Sequence, residues 1–173
     1  MKNKIWLVSD THFFHDKMIE YCNRPKDFNE RLWKNLKQIK DDDILIHLGD
    51  INIGKDEEVH YHLNGILKCK KILVRGNHDH KSNNWYLEHG WDFVCYTFTD
   101  KYYGQKILFS HIPQPDNGYD INIHGHCHNT LRTLEFEPTM NDKQLLIAME
   151  NTNYQPVLLK TTIENYVNNK KLK

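Results

Sequence analysis

The chain is short of cysteine, of glycine and proline, of excess charge, and of long apolar runs. Its four cysteines, Cys22, Cys69, Cys95 and Cys127, stand far apart in 173 residues with no C-x-x-C pair. That spacing argues against a zinc knuckle and a disulfide framework, and it fits a reducing, cytoplasmic setting. With eight glycines and five prolines, no linker, internal repeat or low-complexity stretch interrupts the sequence. Lys plus Arg and Asp plus Glu both number 23, so the formal net charge is zero. A neutral chain lacks the broad basic face that strong duplex nucleic-acid binding needs. It leaves room for a small phosphorylated substrate held by a few groups. No apolar run approaches the ~20 residues that span a bilayer. The opening MKNKIWLVSDTH turns to polar residues too soon for a signal peptide, so no membrane partner is expected. The length fits one domain over residues 1–173, without a capping domain.

What the chain has in excess is histidine, 12 in all. Their placement becomes informative once the elements are laid out. Ile5–Val8, Ile44–Leu48, Ile72–Val74, Ile107–Phe109 and Ile121–Ile123 are short apolar runs that read as buried strands. Asn29–Ile39 and Asp56–Leu67 carry apolar residues at spacings of three and four, the mark of helices with one buried face. Ser82–His89 fits a short helix. Phe93–Phe98 and Gln105–Ser110 flank Gly104 as a hairpin. Arg132–Phe136, Leu145–Met149 and Val157–Leu159 add strand candidates, and Thr162–Val167 a closing helix capped by Thr161 or Thr162. The first half is βαβαβ and the second mostly β. The expected fold is α/β, with two packed mixed sheets flanked by helices as an α/β/β/α sandwich.

Each core strand is followed by side chains able to bind metal. Asp10-Thr11-His12 follows the first, Gly49-Asp50 the second, and Gly76-Asn77-His78-Asp79 the third. His111 follows the fourth, and Gly125-His126-Cys127-His128 the fifth. Ligands in open α/β sheets bind at the carboxyl ends of strands. A lone D-x-H or G-D is often only a turn. Five such motifs in order, each at a strand end, are not a chance of composition. Asp50 is suited to bridge two cations, since a carboxylate has one oxygen for each. Imidazole mixed with carboxylate suits Mn, Fe, Zn, Co or Ni better than Mg or Ca.

With D-x-H, G-D, G-N-H-[DE], a lone His and G-H-x-H in that order, the sequence resembles the calcineurin-like metallophosphoesterases, and SDTHFFH and FSHIP resemble their small stand-alone bacterial and phage members. The resemblance implies two divalent metals, with Mn the metal of choice for assays. One would be held by Asp10, His12, Asp50 and His128, the other by Asp50, Asn77, His111 and His126. Two such ions can bind one phosphate and steady an in-line displacement. It also implies hydrolysis of a phosphodiester, nucleotide-like in the favoured reading, or of a monoester. His78 would protonate the leaving oxygen, and Asp79 would orient the His78 imidazole and raise its basicity. The alternative is a non-catalytic metal-binding scaffold of the same fold. Against it, every motif position is filled here.

The remaining polar residues carry less. His15 fits a phosphate contact or a plain loop position before the next helix. Asn52 is placed to bond metal-bound water. Arg24 and Arg75 could contact phosphate, although Arg75 could equally pair with a helix carboxylate. His124 either points into the pocket with His126 or is a core histidine. Tyr21, Trp85, Tyr102 and Tyr103 are candidates for a base- or sugar-stacking surface or for ordinary packing.

Overall fold

The computed structural model describes residues 3–129 and 141–171. In chain order its strands are β1 (Ile5–Val8), β2 (Ile44–His47), β3 (Lys70–Val74), β4 (Phe93–Cys95), β5 (Thr97–Tyr102), β6 (Gln105–Ser110), β7 (Ile121–His124), β8 (Gln144–Leu146) and β9 (Val157–Leu158). Its helices are α1 (Met18–Tyr21), α2 (Phe28–Leu36), α3 (Asp56–Ile66), α4 (Asn83–Glu88) and α5 (Leu159–Lys171).

The strands form two mixed sheets, one ordered β4-β3-β2-β1-β9 and the other β5-β6-β7-β8. In the first, β1 to β4 run parallel and β9 antiparallel to β1. In the second, β6, β7 and β8 run parallel and β5 antiparallel to β6. The period of two along each strand divides the apolar side chains between two cores. Trp6, Val8, Leu45 and Leu73 face outward, to Phe28, Leu32 and Leu36 of α2, Val59 and Leu63 of α3, and Tyr86 of α4. Leu7, Ile46 and Val74 face the other way, against Ile107, Phe109, Ile121 and Ile123 of the second sheet. Leu159 and Ile163 of α5 join this inter-sheet core. Each helix therefore buries one stripe, and each central strand buries both faces.

Several boundaries differ from the sequence reading. Phe93–Phe98 is not one arm of a hairpin. Phe93–Cys95 adds to the first sheet beside β3, while Thr97–Tyr102 pairs with β6 in the second. The chain changes sheets at Tyr96, and alternation alone does not reveal such a change. The closing helix starts at Leu159, so Thr161 and Thr162 lie within it and cap nothing. Strand β8 is shorter than Leu145–Met149, and α1 is a single turn that no periodicity announced. The Arg132–Phe136 candidate lies outside the described residues. Ser82 caps α4 by accepting the Trp85 N–H at 3.1 Å. Among the described residues no helix is long and apolar enough to cross a membrane.

Candidate metal centre

The parallel runs in both sheets bring the carboxyl ends of β1, β2, β3, β6 and β7 to one edge. The chain leaves those ends sharply. Asp10, His12, Asp50, His126 and His128 all have positive φ, between 47° and 70°. Side chains visit this region seldom, and Asp and His less seldom than most. Such strain persists only where the surroundings enforce it, and it gathers at functional sites. The packing leaves no slack there. A Cβ on Gly76 would collide with the Asp50 carboxylate and backbone, and one on Gly125 with Ser9 and Asp10. These two glycines let the loops touch.

Of three groups of potential ligands among the described residues, one joins Cys22, His128 and Glu150 and the other two lie at these strand ends. Asp10, His12 and His128 form one, and Asp50, His111 and His126 the other, with the ligand atoms of each group within 4.8 Å of one another. Asp50 adjoins both, since its Oδ2 is 3.5 Å from His12 Nε2 and 3.3 Å from His111 Nε2. Asn77 Oδ1 lies 3.0 Å from His111 Nε2, and His126 Nδ1 lies 3.2 Å from it. His128 Nε2 is 3.5 Å from Asp10 Oδ1.

The tautomers can be assigned from partners outside the groups. His111 Nδ1–H donates to the Leu48 carbonyl at 2.7 Å, so Nε2 is the atom turned to the centre. His128 Nδ1–H donates to the Glu150 carboxylate at 3.2 Å, and its Nε2 likewise faces inward. His12 is buried with neither ring nitrogen bonded. A buried imidazole without partners is costly. Its position beside carboxylate oxygens and inward lone pairs is what a cation would relieve. The donor set therefore fits divalent transition metals.

The electrostatics agree. Burial pushes the Asp10 carboxyl up, against His128 and His111. Burial acts the same way on Asp50, but the His111 hydrogen bond and the charges of His111 and His12 outweigh it and hold that carboxyl well below its usual range. Burial would lower His111 and His128, yet the bond to Asp50 lifts His111 to about 9, and Cys22, Glu150 and Asp10 lift His128 to about 10. Without a cation, protons on these two rings balance the carboxylates. Binding a metal would displace them. For His12 burial outweighs the support of Asp50 and, with the neighbouring His128 and Arg24 charges, holds it well below 6.5.

The other predicted residues fall into two sets. His78 stays at the rim, with its side chain 35 % exposed and Nε2 4.0 Å from Asp50 Oδ2. Its backbone N–H donates to Asp50 Oδ1 at 2.8 Å, which fixes its loop to the centre. The His15 ring lies 5.6 Å from that of His12, while its carbonyl accepts the Met18 N–H and starts α1. Four of the remaining residues require correction, and His124 and Trp85 take the packing alternative already open to them. Asp79 does not orient His78. It is buried, and its oxygens accept the backbone N–H groups of Gly76, Asp50 and Ile51 at 2.7, 2.9 and 3.1 Å. It clamps the β2 and β3 loops together. Arg24 cannot reach a phosphate: it is buried and donates to the Asp10 and Thr11 carbonyls and to Glu150. Arg75 spends its guanidinium on the Asp79 carbonyl, Asn83 and Tyr96 rather than on a phosphate or a helix carboxylate. The Asn52 amide is committed to the Gly54 carbonyl and Asp56 within its own loop. His124 is wholly buried below the centre, and burial lowers it to about 4. Trp85 stacks on His89, at 3.7 Å between ring centroids, and takes no part in the pocket wall.

Cys127 keeps its thiol out of the ligand groups among the described residues. His126 and His128 are left-handed and the Cys127 N–H closes a tight turn on the Gly125 carbonyl at 2.8 Å. That turn is what sends the two histidines to different groups.

Two residues that the sequence reading did not use complete the centre. Glu150 receives Arg24 at 2.7 Å on one side and His128 on the other. It follows the apolar stretch Ile147–Met149, so the strand-end rule applied to the other motifs would have reached it. His47 accepts the Gly49 N–H at Nδ1 (3.1 Å), so its Nε2–H donates to Thr11 Oγ1 (3.1 Å), tying the first two loops.

The family model for calcineurin-like phosphoesterase matches residues 3–168. An uncharacterised protein of Methanocaldococcus jannaschii is 34% identical over 167 residues, covering 90% of this chain and 87% of the relative. A protein of unknown function from Aquifex aeolicus, of known crystal structure, superposes with a TM-score of 0.74 at 24% identity. That match covers 94% of this chain and 98% of the other.

Proposed function

We propose, from the premise that this chain belongs to the calcineurin-like phosphoesterase family, that its site hydrolyses phosphodiesters by means of two divalent metals. The observation that carries this reading is the sharing of Asp50 between two groups of inward-facing ligand atoms, beside a buried His12 whose ring nitrogens make no hydrogen bond. Asp10, His12, Asp50 and His128 would hold one ion, and Asp50, Asn77, His111 and His126 the other. When bound, two such ions supply positive charge to the phosphoryl oxygens and make water more acidic.

The chain's own groups do the rest. Asp50, whose Oδ2 faces both ligand groups, would be shared by the two ions, while its Oδ1 holds the His78 loop by accepting the backbone N–H. His78, at the rim, gives a proton to the ester oxygen as the P–O bond breaks and water oxygen joins phosphorus. Arg75 braces that loop through the Asp79 carbonyl, so the imidazole is delivered from a fixed backbone. The absence of any large insertion between Asn77 and His111 supports an open site suited to a diester with two arms. The scaffold alternative gains no support, because His78 and every ligand position are retained.

The test compares mono- and diester substrates in Mn²⁺, in wild type and His78→Ala. General acid catalysis is worth about 10²–10⁴-fold. The variant should keep its metal and lose most rate on an alkoxide leaving group and least on p-nitrophenolate. Equal losses on both would show that His78 binds phosphate rather than acting as the acid. A wide kcat/KM advantage for p-nitrophenyl phosphate over its diester would make the enzyme a monoesterase.

A further inference from the structure

A cleft of about 270 Å³ opens beside His78, between the loop carrying Asn52, Gly54 and Asp56 and the loop carrying His80 and Lys81. Its position next to the proposed proton donor makes it the place where a departing group would lie. Its chemistry restricts what that group can be. Lys81 Nζ and Asp56 Oδ2 stand 3.9 Å apart and neutralise each other, and both are partly exposed to the cleft. Glu57 and Glu58, next to Asp56 on α3, are paired with His89 and Lys55 outside the lining, so the cleft offers a second phosphate no unpaired lysine or arginine. The lining, completed by Ile53, contains no Phe, Tyr or Trp, and its aromatic rings are the imidazoles of His78 and His80. Gly54 leaves open space above its Cα, where a Cβ would meet nothing within 4 Å. An acceptor and a donor side by side suit two neighbouring hydroxyls, one donating to the carboxylate and one accepting from the ammonium.

We propose that this cleft is the leaving-group subsite and that it takes a neutral arm with a vicinal diol, of pentose size. The proposal rests on the phosphodiesterase reading above. In the step it serves, water loses a proton to solvent as its oxygen bonds to phosphorus, the P–O bond to the sugar's ester oxygen breaks, that oxygen leaves as an alcohol with the proton from His78, and His78 regains a proton from solvent. Asp56 and Lys81 hold the diol and neither gains nor loses a proton.

The experiment uses the Mn²⁺-loaded enzyme and two dinucleoside monophosphates. They differ only in the 5′-linked sugar, ribose in one and 2′,3′-dideoxyribose in the other. Wild type should favour the ribose compound by about tenfold in kcat/KM, the order expected for hydrogen bonds to charged groups. It should release the 5′-linked nucleoside as the free alcohol. In Asp56→Asn and in Lys81→Met the preference should fall towards unity, with thermal unfolding and metal content as controls for the fold. Equal rates on the two compounds, a preference that survives both substitutions, or release of the other nucleoside would overturn the subsite. Bis(p-nitrophenyl) phosphate separates the two levels: if it is cleaved while the sugars are not distinguished, only the subsite fails. If neither it nor a dinucleotide is cleaved, the phosphodiesterase reading fails and the subsite with it.

Discussion

Two clusters of this molecule are rich in buried histidine, and they solve the burial differently. At the strand ends, His12, His111 and His128 turn ring nitrogens towards carboxylates and towards one another. Under α3 and α4, His60 turns its ring against Trp85, Tyr86 and Trp91, with centroids 5.0 to 6.2 Å away. His60 Nδ1 donates to the Asp56 carbonyl at 2.9 Å, and Nε2 is buried without a partner. One cluster gathers acceptors and needs a cation. The other gathers aromatic faces and needs only a neutral ring. Histidine count therefore does not identify a metal centre, whereas convergence of lone pairs with carboxylates does.

The largest expected effect breaks the first cluster alone. Asp50→Asn removes the charge shared by both ligand groups and one of the two oxygens that steady His111 and the His78 N–H. Elemental analysis after gel filtration should show both metals lost or weakly held. Phosphoesterase activity should drop to the background rate. His60→Phe, assayed alongside, should keep its full metal content. Retention of two tightly held ions by Asp50→Asn would remove Asp50 as the bridge.

Much of this contrast is legible in the sequence. Apolar runs of three to five residues located β1, β2, β3, β6 and β7, and the polar residues after each named the candidate ligands. Roles that depend on backbone direction were not legible. Asp79 reads as a partner for its neighbour His78, but the loop turns its carboxylate back onto three N–H groups from β2 and β3 loops. Arg24 reads as a phosphate ligand because arginine so often is. Yet a contact with Glu150 across 126 positions of sequence decides its place. Phe93–Phe98 reads as one strand, because a change of sheet leaves alternation intact. Local pattern reports which face is buried and not what covers it.

Glu150 sharpens the comparison at the next scale. Arg24 and Glu150 form a buried pair at 2.7 Å, and Glu150 accepts from His128 Nδ1. It is a positioning residue for His128. Outer partners of this kind change metal affinity by about 10–100-fold when removed. Glu150→Ala should weaken one of the two metal sites by that order in a competition titration with a chelator, leaving the other near wild type. Glu150→Gln, which keeps an acceptor for His128, should recover part of the affinity. Equal weakening of both sites, or no recovery with Gln, would reduce Glu150 to a packing role.

The smallest effect tests the second cluster through pH. Burial lowers His60 from 6.5 to about 4. A histidine held neutral in the fold binds fewer protons than in the unfolded chain between those two values. Its contribution to stability is therefore complete above pH 6.5 and falls as pH drops towards 4. A displacement of that size corresponds to at most about 3 kcal/mol across the window. His47, lowered to about 3, and His124, lowered to about 4, add to the same acid limb. Urea unfolding of metal-free protein at pH 7.5 and 4.5 should show wild type losing more stability than His60→Phe. The phenyl ring keeps the aromatic contacts but gives up the bond to Asp56, so the variant should start lower by about 1 kcal/mol at pH 7.5. The two stabilities should then approach and cross as His60 becomes protonated in the unfolded chain alone. Parallel losses in both proteins would mean that the His60 ring gains its proton without leaving the fold, and the aromatic cluster would be no barrier to charge.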